Sequence, residues 1–113
     1  MLEITKEMRK IITEKETKVN KLNTLCKQLV ALEIKETNKR AELMNKLTNS
    51  GEKMTEKVKV AKCDAELKSE IGQIAHLKND INSLKREIDL CNDKLSLHRN
   101  IIRELQLSNS VYN

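Results

Sequence analysis

Cys26, Cys63, Cys91 and His98 are among the side chains here that could ligate a metal or act as nucleophiles. A zinc site needs such groups converging on one ion, and a thiol nucleophile needs a base within hydrogen-bond reach. Cys91 and His98 would share one helix face, yet seven residues place them about 10 Å apart along the axis, too far for one metal. The cysteines are odd in number and widely spaced, so they describe no disulfide framework and read as small core side chains. No glycine-rich phosphate loop, paired-cysteine zinc pattern or nucleophile elbow occurs. The expectation is a chain that is not an enzyme, with no catalytic residue, no cofactor and no metal.

The residues with a strong pattern are aliphatic. Steps of seven from Val60 land on Val60, Leu67, Ile74, Ile81, Ile88, Leu95 and Ile102. Three residues after each come Cys63, Glu70, Leu77, Leu84, Cys91, His98 and Leu105. Apolar residues alternating three and four apart form a narrow helical stripe, which is buried only against another helix. The stripe therefore reads as a helix–helix seam. His98 and Glu70 are its polar members and set register.

The first half carries a looser stripe through Ile4, Met8, Ile11, Leu22, Leu25, Leu29, Leu32 and Leu43. Lys15, Lys18, Glu36 and Lys39 interrupt it where an apolar side chain is expected. Such a stripe suits packing among several helices as well as it suits a strict two-stranded coil. Stepping by seven through the two halves reveals different registers, offset within residues 48–52. Ser50 and Gly51 lie there, and carry turn chemistry: Gly51 can end a helix in the left-handed conformation, and Ser50 can cap the next one with Glu52 in its first turn.

Composition supports long helices. Among 113 residues there is no proline, phenylalanine or tryptophan, and there are two glycines. The aromatic side chains that fill a layered core are almost absent, while good helix formers dominate. The fold class is therefore all-α: two long helices forming a coiled coil or a helical hairpin or bundle, with a break near Gly51. The boundaries expected are a first amphipathic helix over 1–49, a break or turn over 50–52, a second heptad helix over 53–107 and a frayed tail over 108–113. If the break reverses the chain, Leu47 meets Met54, Leu43 meets Val58 and Ile12 meets Ile88. If it is only a kink, the chain is a single rod.

The net charge of +5 comes from 22 basic and 17 acidic side chains. Their signs are interspersed, as on a solvated helix surface. A lysine-rich run flanks the break: Lys35, Lys39, Arg40 and Lys46 before it, Lys53, Lys57, Lys59 and Lys62 after it. Glutamates dilute the run, and neither base-reading arginines nor stacking aromatics accompany it, which argues against sequence-specific nucleic-acid binding. No stretch of about 18 apolar residues exists to span a bilayer, and residues 1–4 do not resemble a secretory signal. Free cysteines fit a reducing cytoplasmic or nuclear compartment.

The partners implied are protein helices. The interface residues expected are Val60, Leu67, Ile74, Leu77, Ile81, Leu84, Ile88, Cys91, Leu95, His98, Ile102 and Leu105, with Ile11, Leu22, Leu25 and Leu29 from the first half. Leu90, Leu97 and Ile101 form a second apolar line beside the seam, suited to docking a further helix. Ile74/Leu77 and Ile81/Leu84 suit a homodimer, but in a parallel pair Lys94 would face Arg99, which favours a hetero-oligomer. The functional expectation is a structural or adaptor subunit within a larger complex, of the chromosome-segregation, cytoskeletal, tethering or viral type by analogy of architecture. The alternative is a basic helical protein with weak, non-specific phosphate binding.

Overall fold

The computed structural model describes residues 2–112, and the side chains of residues 2–109. Three helices account for nearly all of it, and there is no strand among the described residues: α1 (Leu2–Asn49), α2 (Glu56–Glu66) and α3 (Lys68–Tyr112). The class is all-α, with three helices where the heptad pattern predicts two. The additional boundary falls at Leu67, which leaves helical geometry at φ −99° and ψ 15°. Hydrogen bonding nevertheless carries through it. Leu67 N–H donates to the Cys63 carbonyl at 2.9 Å, and Ile71 N–H donates to the Leu67 carbonyl at 2.9 Å. The boundary is therefore a bend between two helical segments, and a seven-residue ladder cannot register a one-residue departure that preserves its spacing.

The turn is longer than expected, spanning residues 50–55 rather than 50–52. Ser50 closes the first helix instead of opening the second: its Oγ donates to the Leu47 carbonyl at 2.8 Å and accepts from Glu52 N–H at 3.4 Å. One of the carbonyls that a helix end leaves unpaired is thereby satisfied. Gly51 follows with φ +79°, the conformation that only glycine adopts without strain. The cap of α2 is Thr55, whose Oγ1 accepts from Val58 N–H at 3.3 Å. Threonine is a favoured N-cap, and with Glu56 next to it in the first turn this signal was present in the sequence. At the other end α3 continues to Tyr112, past the expected fraying point at 108. No proline or glycine follows residue 107, and polar side chains alone do not stop a helix.

The chain divides into two compact units. Unit 1 joins Met1–Asn23 with Asn82–Asn113, and unit 2 is Thr24–Ile81. Within unit 2 the chain reverses at the turn, so that Arg40 of α1 reaches Asp64 of α2 and Lys39 reaches Glu70 of α3. Within unit 1 Ile11 packs with Cys91 and Leu95, with Met8 against them. Such contacts between distant residues fit a helical hairpin and not a straight rod. The register differs from that of a turn closed at 50–52. Leu43 shares a groove with Cys63 and Glu66 rather than lying level with Val58. Ile12 shares one with Leu95 and Arg99 rather than with Ile88.

Candidate helix–helix interface

The buried side chains fall almost entirely on the ladder. Leu67, Ile81, Leu84, Cys91 and Leu95 are buried on the second arm, and Ile11 on the first. Ile74, Leu77, Ile88, His98 and Ile102 are half-buried, as are Leu22, Leu25 and Leu29. Val60 and Leu105, at the two ends of the ladder, are 43% and 40% exposed. Cys63 is the most enclosed side chain described, at 1% exposure. It belongs to the second series of the ladder. No disulfide forms: Cys26, Cys63 and Cys91 are all free.

Unit 2 places partners beside the polar residues that interrupt the first stripe. Lys39 Nζ donates to Glu70 Oε1 at 2.8 Å, so two seam positions occupied by charge answer one another. Arg40 lies beside Glu36 Oε1 and Asp64 Oδ1, both at 2.8 Å. Hydrogen bonding to Glu36 and then to Asp64 raises the guanidinium pKa above its ordinary value. Glu70 is held below the usual carboxylate range, chiefly by its hydrogen bond from Lys39 and next by one from its own amide. That amide lies in the first turn of α3, where N–H groups have no partner within the helix. The carboxylate is thus held both by its own backbone and by the opposite arm. The pairing of Arg40 with Asp64 and of Lys39 with Glu70 was absent from the expected interface. Opposite signs were visible, but pairing across the hairpin depends on register, which a periodic pattern does not encode.

In unit 1 the polar interruption at Lys18 is looser. Its ammonium lies 3.6 Å from both Glu14 and Glu87. At His98, Nδ1 lies 2.6 Å from the Lys94 carbonyl, within the same helix. That contact turns the half-buried ring toward its own backbone. Ser50 and Gly51 form the turn described above and join no apolar cluster.

The second apolar line remains uncovered. Leu90 and Leu97 are each 58% exposed, and Ile101 is half-buried. Val30 and Ile34, four residues apart on α1, are also more than half exposed. Their four-residue spacing signals an apolar outer face on that helix. A shallow hollow of about 740 Å³ lies in unit 2, lined by Gln28, Ala31, Leu32, Gly72, His76 and Leu77 among others. It is open to solvent. Among the described residues no three His, Cys, Asp or Glu side chains are grouped to hold a metal ion. Among the described residues no helix is long and apolar enough to cross a membrane. No family model, curated protein or solved structure matches the chain.

Proposed function

We propose that the chain is a non-enzymatic structural or adaptor subunit whose hairpin packs as a coiled coil and joins other helical chains into a larger complex. The observation that carries this reading is the division of apolar residues on α3. The ladder through Leu84, Cys91 and Leu95 is used within the chain, whereas Leu90 and Leu97 stand more than half exposed beside it. Fully burying a leucine gains roughly 1.5–3 kcal/mol, so a line of exposed leucines is a standing incentive for another helix to dock. A cytoplasmic or nuclear setting accords with three free thiols. The complex is of the chromosome-segregation, cytoskeletal, tethering or viral type only by analogy of architecture.

The nucleic-acid alternative draws less support. Lys39, Arg40 and Lys59 of the basic run are engaged by carboxylates at 2.8–3.7 Å, which lessens their attraction for phosphate.

The test is the double substitution Leu90→Glu with Leu97→Glu, followed by native pull-down with mass measurement. Helical content should be unchanged, because both side chains are exposed, and capture of helical partners should be lost. Capture at the wild-type level would place the docking surface elsewhere and remove the support for this reading.

A further inference from the structure

We propose that unit 2 takes one acidic amphipathic helix of another protein, laid along the side of the hairpin that Arg40 and Asp64 bridge. The inference rests on the assembly reading and goes beyond it by naming a second place for a partner helix and the charge that helix bears. Besides its seam-facing stripe, α1 has another with the same three-four spacing: Val30, Ile34, Thr37, Ala41 and Met44. Val30 and Ile34 are 58% and 56% exposed. On the returning arm Val60, Asp64, Leu67, Ile71 and Ile74 step by four and three along one flank of the ladder. The spacing carries through the bend at Leu67 because the hydrogen bonding does. Leu67 is buried and Ile74 half-buried, whereas Val60 and Ile71 are 43% and 38% exposed. This stripe therefore starts in the chain's own interface and continues beyond it.

One ion pair puts the two stripes on the same side. Arg40 lies three residues after Thr37 and four before Met44, on the edge of the α1 stripe nearer the seam. It reaches Asp64, a member of the other stripe, at 2.8 Å. The exposed aliphatic side chains of both arms thus border one groove, the surface that a further helix covers with apolar residues at the same spacing.

The charges on this side decide the occupant. Lys27 and Glu33 lie three residues before and after Val30, Lys57 three before Val60, Lys68 three before Ile71 and Lys78 four after Ile74. All five are exposed, and among the described residues none has an ion-pair partner within 4 Å. Arg40 and Asp64 answer each other. Four unanswered lysines therefore stand against one unanswered glutamate, and carboxylates flanking the apolar stripe of an incoming helix complement them. A second copy seated two-fold on this groove brings the same four lysines and one glutamate. At least three lysines of each copy would stay unanswered, so the occupant is a different chain. Nucleic acid supplies negative charge but no aliphatic surface for Val30, Ile34 and Ile71.

The probe is a synthetic three-heptad peptide with leucine at both seam positions and glutamate at both flanking positions, titrated against the full chain by fluorescence anisotropy. A Kd on the order of 10 μM is expected at about 50 mM salt, weakening about tenfold at about 500 mM. The same peptide with lysine at the flanking positions should bind at least tenfold more weakly. Val30→Ser with Ile34→Ser should weaken the glutamate peptide at least tenfold at unchanged helical content, since both side chains are exposed in the free chain. Lys68→Glu with Lys78→Glu should reverse the preference, so that the lysine peptide binds the tighter. Absence of binding overturns the inference, as do equal affinities for the two peptides or binding indifferent to Val30→Ser with Ile34→Ser. A chain that sediments as a dimer, and is made monomeric by those serines, overturns it in favour of a second copy. Capture on phosphatidylserine vesicles in preference to the peptide overturns it in favour of a lipid surface. If the glutamate peptide fails while Leu90→Glu with Leu97→Glu still abolishes partner capture, this groove is refuted and the assembly reading stands. If the peptide binds with the expected pattern while capture survives Leu90→Glu with Leu97→Glu, the groove is supported and that reading loses its own observation.

Discussion

In unit 1 the first arm offers Ile11 to Cys91 and Leu95, while in unit 2 it offers Lys39 to Glu70 and Arg40, itself held by Glu36, to Asp64. The second arm is aliphatic in both units, burying Leu84, Cys91 and Leu95 in one and Cys63, Leu67 and Ile81 in the other. The difference lies in the first arm, which in unit 2 contributes half-buried side chains and none that is fully buried. Removing apolar surface from water is non-directional and stabilises any register that covers it. Ion pairs of partly exposed groups add little net stability, commonly 1 kcal/mol or less, because water and salt screen them. They do depend on distance and direction, so they discriminate between registers. Unit 1 is held mainly by burial, and unit 2 has its register marked by charge.

The comparison is broken most directly in unit 1. Leu95→Ala should cost about 3 kcal/mol, from lost burial and the cavity left behind. Urea unfolding followed by circular dichroism measures it; a loss below 1 kcal/mol would mean that burial does not hold this unit. A gain is expected in unit 2 at Gly72, where an added Cβ meets no atom within 4 Å. Gly72→Ala should stabilise the chain by about 1 kcal/mol, since alanine favours the helix by that amount. A lower midpoint in the same titration would show that the hollow beside Gly72 needs its full width.

The smallest effect concerns acid. The carboxyl of Glu70 has a lower pKa folded than unfolded, owing first to Lys39 and then to its own amide. Its contribution is therefore present above the unfolded value of about 4.3 and is lost as pH falls through the folded value. Glu70→Gln should leave helicity at pH 7 nearly unchanged and flatten the decline in stability on acidification below about pH 5. Equal slopes for the two proteins would remove Glu70 from the charge network of unit 2.

Much of the burial pattern of the second arm is legible in the sequence. Leu67, Ile81, Leu84, Cys91 and Leu95 were read from spacing alone and are buried. The uncovered line of Leu90 and Leu97 was legible for the same reason: position around a helix follows from residue number. Lys39 interrupts the first stripe and Glu70 is a polar member of the second, and the two are partners. Thr55, rather than Ser50, caps α2, because Ser50 is engaged by the carbonyl of Leu47. Several residues in the turn could serve as caps, and local preference does not choose among them.

The sequence by itself determined that the chain is helical and which side of each helix is apolar. Both follow from local causes: the lack of proline, the propensities of individual residues and a three-four spacing that recurs at every turn. Only the tertiary structure decided the reversal over residues 50–55, the bend at Leu67 and the pairing of Arg40 with Asp64 and Lys39 with Glu70. Those outcomes depend on how far one arm slides along the other. A periodic stripe is nearly indifferent to a slide of one repeat, whereas an ion pair at 2.8 Å is not.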